Sequence, residues 1–127
     1  MSRREEKSRT GLDRANEPAI LILTSLASGT KHGYALAKDI EGFAGVSLGP
    51  GTLYGAIARL EERGLIEPTE GDERRRPYRI TSAGRVALST AVHEMRKIAD
   101  EGATRLGLTT LVGQLIASKQ PLLGWTQ

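Results

Sequence analysis

Between residues 18 and 64 the chain cannot hold one regular conformation for long before a breaker stops it. Pro18, Gly29, Gly42, the run Gly49-Pro50-Gly51 and Gly64 cut the stretch into three short pieces. Each piece carries apolar residues at helical spacing, which predicts three short helices rather than strands. In the first, Asn16 is the expected N-cap. Glu17 and Pro18 fill its first turn, where a carboxylate meets the positive helix end and a missing N–H costs nothing. Ile20, Leu21, Leu23 and Leu26 make its apolar stripe, up to Gly29. Thr30 caps a second helix from Lys31 or His32, with Tyr34, Leu36, Ala37 and Ile40 facing inward and Gly42 closing it. The third starts at Pro50, turns Leu53, Ala56, Ile57 and Leu60 inward on the i, i+3, i+4, i+7 rule, and ends at Gly64.

One Phe, one Trp and three Tyr leave the core to Leu, Ile, Val and Ala. The absence of cysteine excludes disulfides and thiolate metal sites, and suits a cytoplasmic protein. No apolar run approaches the roughly 18 residues of a membrane span, and the polar start MSRREEKSRT does not read as a signal peptide. A net charge of +3 over 127 residues permits a nucleic-acid partner without requiring one. The placement of charge therefore matters more than its sum.

The outward face of the third helix is thin. It presents Thr52, Tyr54, Gly55, Ala58, Arg59 and Arg63, of which Gly55 and Ala58 add almost no bulk while the rest can donate hydrogen bonds. Such a face can approach something grooved and anionic. After Gly64, the runs Leu65 to Thr69 and Tyr78 to Thr81 flank a turn-rich centre and read as a two-stranded hairpin. Pro68 and Pro77 fit a ribbon that is all edge. Arg74, Arg75 and Arg76 sit at its tip with Arg79 beyond, partly offset by Glu70, Asp72 and Glu73. Helix, turn, helix and an arginine-tipped hairpin is the winged helix-turn-helix plan.

Thr81 or Ser82 caps a fourth helix, along which Leu88, Val92, Met95, Ala99, Gly102 and Leu106 are spaced 4, 3, 4, 3, 4. That heptad seam is narrower than a core-facing stripe and suits a partner helix from a second copy. Burial of the seam on the same domain is the competing reading. The expected organisation is a flexible arm at 1–13, a winged helix-turn-helix domain at 14–81, a dimerisation helix at 82–107 and a tail at 108–127, with a short packed helix over 108–118.

Three motifs in order complete the reading: His32-Gly33-Tyr34, then GTLYGAIARLEERGLI at 51–66, then Pro77-Tyr78-Arg79-Ile80-Thr81-Ser82-Ala83-Gly84-Arg85. Over residues 18 to about 106 the chain resembles the PadR-like transcriptional regulators, in the shorter subfamily with a single helix after the wing. The resemblance implies a mainly α fold with a small β-hairpin, namely a winged helix-turn-helix domain followed by a C-terminal dimerisation helix. It implies a homodimeric repressor that binds double-stranded operator DNA and releases it when a small, often aromatic, effector binds. Thr52, Leu53 and Tyr54 then fall at the entry of the recognition helix. The DNA-facing set is Thr52, Tyr54, Gly55, Arg59, Arg74, Arg75, Arg76 and Arg79, with Arg59 the candidate for a base contact. The subfamily's drug binders stack their ligand on a tryptophan of the dimerisation helix. Here that helix has no aromatic residue, and the only tryptophan is Trp125. Ala99, Gly102 and Ala103 leave room for a cavity between two copies, with Ala99, Ala103 and Trp125 as the candidate ligand residues.

Enzyme chemistry has little footing. No Ser-His-Asp or Cys-His set is apparent, and GPGT lacks the lysine and spacing of a phosphate loop. His32 and His93 are the only histidines, so no metal or other cofactor is expected. The other class of function that fits is a winged-helix adaptor whose wing binds protein. Four arginines within residues 74–79 favour DNA.

Overall fold

The computed structural model describes residues 17–71 and 76–108. Helices α1 (Pro18–Ala27), α2 (Gly33–Ala44) and α3 (Pro50–Glu62) precede strands β1 (Ile66–Pro68) and β2 (Tyr78–Ile80), and α4 (Ser82–Leu106) follows. This is the mainly helical, single-hairpin fold expected from the sequence. The expected arm, the wing tip at residues 72–75 and the expected tail helix lie outside the described residues.

The stripes explain the packing. Leu21, Ile22, Leu23 and Leu26 of α1, Leu36 and Ile40 of α2, and Leu53, Ala56, Ile57 and Leu60 of α3 form one cluster, joined by Leu48, Leu65, Ile66 and Ile80. Burying each large side chain stabilises the fold by about 1.5–3 kcal/mol, so α3 is held firmly by four residues on one side. Aromatics contribute only at the margin, where Tyr78 packs partly buried against the cluster.

Several boundaries differ from the sequence reading. Helix α1 begins at Pro18, with Glu17 in extended geometry at the cap position, while Asn16 lies outside the described residues. Helix α2 starts at Gly33 rather than at Lys31 or His32, and His32, not Thr30, holds its cap position. The cause lies in Lys31, whose backbone is drawn into a β-bridge with Tyr78 and so is unavailable to the helix. The same helix runs past Gly42 to Ala44 and stops at Gly45, which takes the left-handed conformation. Tyr34, expected to face inward, is 69% exposed. Gly33 takes the buried position beside it.

The hairpin is shorter than expected, with Ile66 opposite Ile80, Glu67 opposite Arg79 and Pro68 opposite Tyr78. Nor is it all edge. Tyr78 N–H donates to the Lys31 carbonyl at 2.8 Å and its carbonyl accepts from Lys31 N–H at 3.1 Å. Tyr78 thus turns its backbone groups away from Pro68, and the missing proline N–H costs the ladder nothing.

Helix α4 is capped by Thr81, whose hydroxyl accepts from Gly84 N–H at 3.0 Å and donates to the Gly64 carbonyl at 2.7 Å. Gly84 is where this helix meets the hairpin. A Cβ there would collide with the Leu65 carbonyl oxygen and stand 2.8 Å from Ile80 Cγ1, so only glycine fits. The chain divides into two compact units, residues 1–91 and 92–127. The first holds α1 to α3, the hairpin and the opening turns of α4. The described part of the second is the remainder of α4, ended by Gly107.

Candidate DNA-reading face

Helix α3 shows how its sequence builds a surface. At 100° per residue the buried set of Leu53, Ala56, Ile57 and Leu60 occupies one arc, and everything else points outward. Tyr54 lies on one flank of the outward arc, and Thr52, Arg59 and Arg63 lie on the other. Between them, toward the N-terminus, come only Gly51, Gly55 and Ala58. The amides of Gly51 and Thr52 belong to a first turn that has no intrahelical acceptor, so this end is positive and favours an anion.

Two details sharpen the geometry. The Arg59 guanidinium folds back over Gly55, with Nη1 3.6 Å from where a Cβ on Gly55 would stand. The side chain leans toward the helix N-terminus, as helical side chains do, and crosses a space that glycine keeps open. Arg59 therefore delivers its charge to the thin half of the face. Tyr54 is half exposed, yet its hydroxyl occupies the place a Cβ would take on Gly33, with Cζ only 2.6 Å from that position. The ring rests on the first residue of α2 and links the two helices. This close approach accounts for glycine in the His32-Gly33-Tyr34 motif.

Glu61 and Glu62 were absent from the sequence-level view of this face. Both are exposed on the outward arc at the C-terminal end of α3. Their carboxylates make that end of the face unfavourable to an anion, in contrast to the N-terminal half. Applying 100° per residue to every position, rather than to the candidates alone, would have found them.

The wing splits the expected arginine set. Arg74 and Arg75 lie outside the described residues. Arg76 is half-buried near Tyr78. Arg79 donates through Nε to Glu67 Oε2 at 2.8 Å, directly across the hairpin. Both members of that pair are exposed, so it is worth at most about 1 kcal/mol and can open. Burial raises the Tyr78 phenol above its ordinary value. Glu61 and Tyr54 push it the same way, and Arg76 opposes.

On α4 the proposed seam divides. Leu88 packs half-buried against the core of its own domain. Farther along, Met95 and Ala103 are half-buried, and Val92, Ala99, Gly102 and Leu106 are exposed. Ile98 is 68% exposed on the flank of the seam and did not enter the heptad count. Trp125 lies outside the described residues. Among the described residues, no helix is long and apolar enough to cross a membrane, and no group of three or more His, Cys, Asp or Glu is placed to hold a metal.

Comparison with known proteins follows the same lines. Residues 22–90 match the family model described as the transcriptional regulator PadR-like family. An uncharacterized 37.1 kDa protein in a transposon of Streptomyces fradiae is 46% identical over 85 residues, which are 67% of this chain and 25% of that protein. The chain thus corresponds to about a quarter of that relative's length. A transcriptional regulator of Mycobacterium tuberculosis is 39% identical over 83 residues, covering 63% of this chain and 77% of the relative. A crystal structure of a PadR family transcription regulator from Clostridium difficile superimposes with a TM-score of 0.64 at 28% identity, over 72% of this chain and 99% of that one.

Proposed function

Because the chain belongs to the PadR-like family of transcriptional regulators, whose work is DNA-dependent control rather than catalysis, we propose that it is a cytoplasmic homodimeric repressor of an inverted-repeat operator. The observation that carries this reading is the α3 face. Its N-terminal half is thin and positive, and four buried residues fix its position. A major groove about 12 Å wide admits such a helix, and a guanidinium brought over Gly55 suits the paired acceptors of guanine. Thr52 contributes a hydroxyl to phosphate oxygens in this reading, and Tyr54 does so from its exposed half. The wing arginines, Arg74 to Arg76, add phosphate contacts that any sequence offers, and Arg79 joins them when it leaves Glu67.

The exposed seam from Val92 to Leu106 is the surface for a second copy, since soluble chains rarely leave such a strip bare. A two-fold dimer sets its two α3 helices about 34 Å apart, so half-sites lie roughly 10 base pairs apart. In this reading the small residues Ala99, Gly102 and Ala103 leave space between the two copies for a flat aromatic effector.

Selection of bound fragments from the source genome tests the reading. Recovery of an inverted repeat with half-sites about 10 base pairs apart supports it. Failure to shift any duplex at about 50 mM salt would instead indicate a winged-helix adaptor that binds protein.

A further inference from the structure

The wing is attached to the helical domain at Lys31, and Lys31 is itself clasped. Its ammonium donates to the Ser25 carbonyl at 2.6 Å, to Ser28 Oγ at 3.0 Å and to the Gly29 carbonyl at 3.4 Å. These acceptors gather at the C-terminal end of α1, the negative end of the helix, where a cation is favoured. Asp39 of α2 supplies the counter-charge 3.9 Å away, and the same carboxylate oxygen accepts from Ser25 Oγ at 2.6 Å. Ser25 is only 1% exposed, and it is the buried polar residue of an otherwise apolar core. The Lys31 side chain is 19% exposed, so its charge is turned into the protein and away from solvent.

One residue thus performs two tasks. Its side chain ties α1 to α2, and its backbone holds both polar groups of Tyr78 in β2. Lys31 is thus one of the points, beside Leu65, Ile66 and Ile80 in the core, at which the wing is fastened to the helical domain. We propose that the Ser25–Asp39–Lys31 clasp is a positioning device: it fixes the wing relative to the DNA-reading helix and so governs discrimination between operator and random DNA, without touching either. The proposal rests on the reading of α3 and the wing as the DNA-facing elements. A compact ammonium with donors in three directions suits this cluster, whereas a planar guanidinium does not.

The test uses the full chain, an operator duplex recovered by genomic selection and a shuffled duplex of equal length. In Lys31→Met the backbone bridge is still chemically possible but the clasp is gone. Operator affinity should fall at least tenfold, random-DNA affinity should change less than twofold and the salt slope should stay as in the wild type. The Tyr78 amide should exchange at least tenfold faster, with the Leu60 amide of α3 unaffected. Asp39→Asn, which keeps a hydrogen-bonding group beside Ser25, should show the same pattern at a few-fold, and it serves if Lys31→Met does not fold. A flattening of the slope by about 0.9 per subunit would mean that Lys31 touches phosphate directly, and would overturn the proposal. Lower thermal stability with an unchanged operator preference would also overturn it, leaving a purely structural cluster. Wild-type protein that prefers no duplex would sink the DNA-reading premise and this proposal with it. Wild type that prefers its operator, beside a variant that keeps the preference, would sink the clasp alone.

Discussion

Helices α3 and α4 come from the same chain and solve opposite problems. Helix α3 has 13 residues and buries four of them, on one side, at a spacing that leaves the other side thin. Helix α4 has 25 residues and buries only Gly84. The shorter helix is a platform whose position is settled within its own domain. The longer one is anchored at its first turns, through Gly84, Ala87 and Leu88, and beyond them Val92, Ala99, Gly102 and Leu106 of its apolar seam are exposed among the described residues. A face that must read something needs a rigid back. The proposed face for a second copy needs exposure.

The contrast can be broken most forcefully at the seam. Val92→Asp with Met95→Asp puts two charges per chain into the proposed interface, at about 3–5 kcal/mol for each charge left buried and unpaired. Light scattering should report monomers while circular dichroism keeps the helical signal. A double mutant that remains dimeric would remove the seam from the interface.

A smaller effect separates two glycines of one helix. Gly84→Val drives a side chain into the Leu65 carbonyl and Ile80, and overpacking of this kind costs about 1–3 kcal/mol or more. Nothing lies within 4 Å of a Cβ built on Gly102. Gly102→Ala should therefore be neutral or stabilise by up to about 1 kcal/mol through helix propensity. Thermal melts of the two variants made in the Val92→Asp, Met95→Asp background compare them without interference from dimer packing. Equal destabilisation would refute the idea that α4 docks at its first turns and not at Gly102.

The smallest effect belongs to Tyr78, beside α3. Its phenol is raised in the folded state, so the stability it contributes is complete below about pH 10 and is lost as pH rises through the higher folded value. Tyr78→Phe should flatten that alkaline decline in the urea midpoint. An unchanged decline would show that the phenol is not shielded.

What the sequence revealed follows from the range of each interaction. Periodicity marks a helix by its own residues, and for that reason Leu53, Ala56, Ile57 and Leu60 were readable one by one. Lys31 shows the limit. Its departure from α2 is caused by Tyr78, far along the chain, and no local pattern carries that information. The part-buried Ser25–Asp39 bond is hidden for the same reason. Tyr34 stands at an inward-looking spacing, as a core aromatic would, yet Gly33 takes the covered position and leaves Tyr34 outside. Glycines at 33 and 84 stood out as motif letters, but their cause, a ring and a carbonyl from distant elements, became visible only in three dimensions.

The claim that α3 is a rigid reader, distinct from the arginines of the wing, is tested most directly by Arg59→Ala. Binding to the selected operator and to a shuffled duplex is measured across a range of salt. A base contact from a fixed platform is worth about 1–3 kcal/mol of discrimination, so operator affinity should fall by roughly 5- to 150-fold while affinity for the shuffled duplex changes far less. Replacing Arg74, Arg75 and Arg76 with alanine should do the reverse, weakening both duplexes together and flattening the salt slope by up to about 3 per subunit. Equal loss on both duplexes in Arg59→Ala, with a flattened slope, would make Arg59 one more phosphate contact and contradict the account.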